Sequence, residues 1–212
     1  RPRRSPPSAR DSPSPLAVYY QSGRAPLGVF GEKDSVTIQK PFSGAESKAL
    51  WEKAGYDDIR VLSLDEGWRF QPDPQNDGLQ RGVLDADFDD SAWKIVSALD
   101  WWQNQGFPNY HGAAWYRIQF ETPKIPRGYS ARLFFGGVDG NAMVYLNGKK
   151  VTEHKLGENF EGWNQPFSKS VAGSLQPGEN TLVVQVTSKN ATTASGIFKG
   201  VSLLSGRHTT QE

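Results

Sequence analysis

The residues from Asp100 to His111, DWWQNQGFPNYH, set two tryptophans, a phenylalanine and a tyrosine among amides, a carboxylate and a histidine. Gly106 and Pro108 mark the segment as a loop. A pyranose suits that mixture, because its C–H face is apolar and stacks on a ring while its hydroxyls need amide or carboxylate partners. Trp101, Trp102, Asn109, Tyr110 and His111 are therefore candidate ligand residues. The alternative for Trp101 or Trp102 is a structural one, a ring that plugs the end of a β-sandwich. A second loop, Gly157 to Asn164 (GENFEGWN), repeats the combination with Glu158, Trp163 and Asn164 as candidates and Asn159 and Glu161 beside them.

Other chemistry is weakly represented. Asp85, Asp87, Asp89 and Asp90 crowd one stretch, and oxygen-rich loops suit calcium, yet the spacing lacks the ladder of alternating acids closed by a glutamate. A turn and cap role is the plainer reading there, with a structural calcium left possible and no cofactor required. His111, His154 and His208 have no zinc spacing, and neither a G-x-S-x-G elbow nor a phosphate-binding loop occurs. The absence of cysteine excludes disulfides, thiolate metal sites and a cysteine nucleophile. Asn190-Ala191-Thr192 is a formal glycosylation triplet, meaningful only on a eukaryotic secretory route.

The elements that must hold these loops read as strands. The chain has 212 residues, 36% of them hydrophobic, enough for one core and too few for a (β/α)₈ barrel with accessory parts. Its 24 basic and 23 acidic residues nearly balance, and four arginines lie in the first 15 positions, leaving 20 basic against 22 acidic residues elsewhere. Nucleic acid is not an expected partner, since phosphate binding needs a basic face. No apolar run approaches a membrane span, so no membrane partner is expected either. No leader is legible, and a secreted or periplasmic location is favoured. Residues 1–15, RPRRSPPSARDSPSP, read as a disordered linker or tail. Residues 16–57 read as an extension with short strands between 16 and 39 and one short helix near 44–54, opened by a Ser43–Glu46 capping box and stopped by Gly55.

From there the period is two. IRVLSL (59–64), GWRFQ (67–71), AAWYRIQFE (113–121), ARLFFGG (131–137), AMVYLNG (142–148), KKVTEH (149–154), TLVVQVTS (181–188) and a final GIFKGVSLLS read as strands separated by Gly, Pro, Asn and Asp. Tyr116, Ile118 and Phe120 share one face, and Trp115, Arg117 and Gln119 the other, expected wet. Asn147-Gly148 predicts a two-residue type I′ hairpin. With no long helical pattern between 110 and 205, the fold class is all-β, an antiparallel β-sandwich over 58–205 with a tail at 206–212.

Five segments in order carry a resemblance: LDEGWRFQPD, DFDDSAWKIVSALDWWQNQGFPNYHGAAWYRIQFETP, LFFGGVDGNAMVYLNGKKVTEH, LQPGENTLVVQV and SGIFKGVSLLS. Together they resemble the N-terminal sugar-binding domain of glycoside hydrolase family 2, the β-galactosidase and β-glucuronidase group. The resemblance implies a galactose-binding-domain-like jelly roll and places Asn109 nearest the asparagine that the family's loop sends toward its active site. It implies a structural turn at FDDS and a buried role for Phe160. In family 2 both catalytic carboxylates sit on a barrel that follows the jelly roll, so no catalytic residue is expected here. One departure weakens a direct role in the catalytic pocket: TSKNATTA is short and lacks the acid that the β-galactosidases carry there. The expected function is thus a non-catalytic carbohydrate-binding module, an accessory domain of a glycoside hydrolase, with an oligo- or polysaccharide and a covalently linked catalytic domain as partners. The alternative is a bracing domain with no sugar affinity of its own.

Overall fold

The computed structural model describes residues 56–125, 128–159, 161–188 and 194–208. The expected tail at 1–15, the strands between 16 and 39, the helix near 44–54, Phe160 and the Asn190 triplet lie outside the described residues. Among the described residues no helix is long and apolar enough to cross a membrane.

Alternating apolar positions build two facing antiparallel sheets. The smaller has the order β1 (Tyr56–Ser63), β12 (Val201–His208), β5 (Ser130–Phe135), β9 (Phe167–Ser170). The larger runs β3 (Lys94–Val96), β2 (Trp68–Asp73), β4 (Ala113–Glu121), β10 (Glu179–Thr187), β7 (Asn141–Leu146), β8 (Lys149–His154). A short ladder, β6 (Val138–Asp139) with β11 (Gly196–Ile197), closes one end. The inward faces meet in a core of Trp68, Phe70, Tyr116, Leu133, Val144 and Leu203, all buried. Each such side chain contributes about 1.5–3 kcal/mol of transfer free energy. The antiparallel β-sandwich read from the sequence is the observed fold.

The hairpin expectation holds in detail. Asn147 and Gly148 have φ of 51° and 76°, the two positive values a type I′ turn needs, and β7 pairs with β8 on either side of it. Asn147 also ties the turn down, its amide nitrogen donating to the Ser174 carbonyl and Asn180 Oδ1 at 2.8 Å each.

The wet face expected on β4 is instead covered. Trp115 and Arg117 are 0% and 1% exposed, because residues 74–92 cross the outside of the larger sheet and make a second apolar cluster of Val83, Trp93, Trp115, Tyr145 and Val183. Asp73 anchors the near end of this strap, accepting hydrogen bonds from Trp115 Nε1 (2.7 Å), Gly78 N (2.9 Å) and Asp77 N (3.2 Å) and an ion pair from Arg81 (3.1 Å). A Cβ on Gly78 would lie 2.1 Å from Trp115 Nε1, so only glycine lets the strap approach so closely. At the far end Arg117 Nε donates to Asp90 at 2.9 Å, its guanidinium also donates to the Val83 carbonyl, and it sits 5.3 Å from the Phe88 ring centre.

Two acids of the strap have partners within the fold. Asp90 is spent on Arg117, Asp89 Oδ1 accepts from the Ser91 amide at 3.0 Å, and no three acids or histidines gather anywhere among the described residues.

Candidate functional site

The two aromatic loops meet at the end of the sandwich closed by β6 and β11. A 3₁₀ turn, η1 (Trp102–Gln105), sets the first loop, and it ends at Gly106 with φ of 100°. Hydrogen bonds fix the turn: Ser195 N donates to Gln103 Oε1 (2.9 Å), Trp102 N to the Ser195 carbonyl (3.2 Å), and Gln105 Nε2 to the carbonyls of Ser97 (2.9 Å) and Asp100 (2.7 Å). Asn104 donates to Asp100 Oδ1 at 2.8 Å. These amides, which composition alone offers to a ligand, satisfy the loop's own backbone and its own acid.

The candidates therefore divide. Trp102 is fully buried against Phe70 and Tyr110, with Nε1 donating to the Tyr110 carbonyl at 3.0 Å. It is a core plug, and the ligand reading for it is corrected: no part of its ring meets solvent. The Tyr110 hydroxyl donates to the Ala113 carbonyl and accepts from Asp73 N at 3.1 Å, tying the loop to the strap. Burial raises the Tyr110 phenol above its usual range, which keeps it a neutral donor. Asn109 is exposed, and His111 is half-buried with no hydrogen-bond partner for Nδ1.

Trp101 joins the second loop through a residue that sequence reasoning passed over. Phe198 lies between two indoles, 4.9 Å from the Trp101 ring centre and 5.6 Å from that of Trp163, each pair tilted by only 15°. A Cβ on Gly137 would lie 3.1 Å from both the Phe198 ring and Lys199 Cδ, so the glycine in FFGG makes room for the stack. Trp163 remains 38% exposed at the outer end. Its loop is braced by Glu161, whose carboxylate accepts from the Asn159 amide at 3.0 Å, and by Lys199 Nζ, which donates to the Asn164 carbonyl at 3.2 Å. Glu158 is exposed and Asn164 half-buried. Burial lowers the Lys199 ammonium from its usual value.

Asp139 is the other residue missed. It is 9% exposed, and burial pushes its carboxyl up to about 6. Removing this charge has a testable sign. A carboxyl whose folded pKa exceeds its unfolded value binds its proton more tightly when folded, so stability falls as pH rises from about 4 through about 6. Asp139→Asn is expected to be more stable than the wild type at pH 8, and the difference should vanish near pH 4. Urea denaturation at both pH values checks it, and an Asn variant less stable at pH 8 would contradict it.

No family model matches the chain. It is 31% identical over 138 residues to a β-galactosidase of Thermoanaerobacter pseudethanolicus, covering 61% of this chain and 17% of that enzyme. A β-glucuronidase of Paenibacillus borealis is 28% identical over 129 residues, covering 59% and 21%. Among solved structures, the chain is similar to Ruminococcus gnavus β-glucuronidase in complex with D-glucuronic acid, with a TM-score of 0.58, 21% identity, and 70% of this chain against 30% of that one. Bacteroides uniformis β-glucuronidase gives 0.57, 23%, 71% and 18%. The chain thus spans about a fifth or less of the length of these curated relatives. Sequence and fold agree with the resemblance read from the residues: the described strands form a sandwich domain of the kind found in the β-galactosidase and β-glucuronidase group of glycoside hydrolase family 2.

Proposed function

We propose that the chain is a non-catalytic carbohydrate-binding accessory domain of a glycoside hydrolase, covalently linked to its catalytic domain. The observation that carries this reading is the Trp101–Phe198–Trp163 stack, which holds an exposed indole rigidly at a loop end. A ring whose inner face is already packed loses little freedom when a sugar covers its outer face, and that lowers the cost of binding. The relatives' names make β-galactosides and β-glucuronides the first ligands to try.

Monovalent affinity is expected on the order of 10⁻⁴ M, since hydroxyl contacts replace well-made bonds to water. One stacking ring is worth about 1–2 kcal/mol, so Trp163→Ala should weaken binding roughly ten-fold without unfolding the domain. Calorimetry with methyl β-galactoside and methyl β-glucuronide tests this, and unchanged affinity in the variant would remove Trp163 from the site. The chain alone is expected to leave nitrophenyl β-galactoside and β-glucuronide intact, because the two flanking carboxylates such hydrolysis needs belong to the linked barrel. Turnover that survives repurification and is lost on mutating one of this chain's carboxylates would overturn that.

The bracing reading has its own support in Trp102 and Tyr110, whose polar atoms are spent on the fold. It prevails if no glycoside binds and Trp163→Ala only lowers the melting temperature.

A further inference from the structure

Asn147-Gly148 is the one Asn-Gly pair in the 212 residues. Asparagine is a chemically labile side chain, and a glycine after it has no side chain to shield its backbone nitrogen. In a free chain the Gly148 nitrogen attacks Asn147 Cγ. The new N–Cγ bond closes a five-membered succinimide, the Cγ–Nδ2 bond breaks, and Nδ2 leaves with the glycine amide proton as ammonia. Water then opens the ring at either carbonyl, giving aspartate or isoaspartate. The net change is amide plus water to acid plus ammonia.

The fold holds the amide where this attack does not occur. Asn147 Nδ2 donates to the Ser174 carbonyl and to Asn180 Oδ1 at 2.8 Å each, and Asn147 Oδ1 accepts from Thr181 N at 3.0 Å. All three partners lie between 174 and 181, outside the turn, so the side chain is drawn sideways toward the start of β10. Cγ reaches the Gly148 nitrogen only after these three bonds open.

The same contacts work against the product. Asn180 is 1% exposed, and its Nδ2 is committed to Thr122 Oγ1 and the carbonyls of Gln176 and Gly178. Its Oδ1 already accepts from Gln176 N at 2.9 Å, which fixes the amide's orientation. A carboxylate at 147 would therefore set an oxygen against two acceptors, the Ser174 carbonyl and Asn180 Oδ1, with no proton between them. Isoaspartate would add a carbon to the main chain of a turn built on φ of 51° and 76°, and so disturb the β7–β8 register.

We infer that Asn147 is a deamidation site gated by the fold: unfolding opens it, and the product folds less stably than the chain that produced it. Each opening of the hairpin is thus a chance of irreversible loss, and the lifetime of the domain depends on how often it opens.

The test ages the full 212-residue chain at pH 8 in buffer and in guanidinium chloride, with peptide mapping by mass spectrometry for conversion at position 147. Conversion is expected to be at least ten-fold faster in the denaturant. Asn147→Asp, made directly, is expected to unfold at a lower urea concentration than the wild type or to fail to fold. Equal rates in the two solvents, or no conversion in the denaturant, would overturn the gate. A midpoint for Asn147→Asp equal to that of the wild type would overturn the claim that the product is disfavoured.

Discussion

Trp102→Ala is expected to lower the free energy of unfolding by about 3–5 kcal/mol, the largest single effect among the tryptophans of the two loops. The side chain is fully buried, and Phe70, at 5.5 Å between ring centres, cannot move to fill the void because Tyr116 and Phe107 hold it at 4.8 and 4.7 Å. Its truncation also strips the Tyr110 carbonyl of the indole donor. The effect should reach beyond stability. Trp102 N and the Gln103 side chain hold Ser195, so a loosened turn releases the segment that leads through Gly196 to Phe198. Urea denaturation with far-ultraviolet circular dichroism measures the loss. A cost below about 1 kcal/mol would mean that the ring is not the plug described.

Asp73→Ala is expected to cost about 2–4 kcal/mol, because it leaves the Trp115 indole and the Gly78 amide buried without acceptors, at about 1–3 kcal/mol each. Burial alone would raise the Asp73 carboxyl. Donation from Trp115, Gly78 and Asp77 together with the Arg81 charge outweighs it and holds the group below its usual 3.8. A depressed folded pKa stabilises the fold above the unfolded value, and that contribution is lost as pH falls through the folded one. The difference in stability between wild type and Asp73→Asn should thus be constant from pH 5 to 8 and shrink below about pH 4. Denaturant titrations across that range decide it, and a difference that grows on acidification would refute the assignment. Solvent quenching of tryptophan emission offers a second view, since freeing the strap would uncover Trp115.

How far the sequence spoke depended on how local each feature is. The strands over AAWYRIQFE and KKVTEH match β4 and β8 residue for residue, because alternation and an Asn-Gly turn are short-range signals. Strands β3, β6 and β9 are two to four residues long, too short to display a period, and exist through their partners. The strap was illegible for another reason. Its residues look like a polar loop, and only the fold shows that Gly78, Val83 and Asp90 lie over β4, turning an apparently wet face into a second core. The loops were visible as aromatic and polar, but composition could not say which rings face inward. Phe198 lies between Gly196 and Gly200 in strand-like sequence, and its place between Trp101 and Trp163 follows from a ladder that pairs Gly196 with Asp139 and Ile197 with Val138, far apart in the chain. Asp139 gave no signal at all, since a lone acid in GVDG reads as a turn.

The first and last described strands are neighbours, and Tyr56 faces His208 across the ladder. Opposed residues in an antiparallel pair lie about 4.5–5.5 Å apart, so the chain enters and leaves the sandwich at one corner. Tension carried through the flanking chain would then load the β1–β12 hydrogen bonds one at a time from that corner, as a zipper opens, and not all at once in shear. Such an arrangement gives way at low force. Joining the two ends by a few residues and opening the chain at Asn147-Gly148 would carry the load through different strands, and pulling on the two forms would compare a peeled edge with a sheared one.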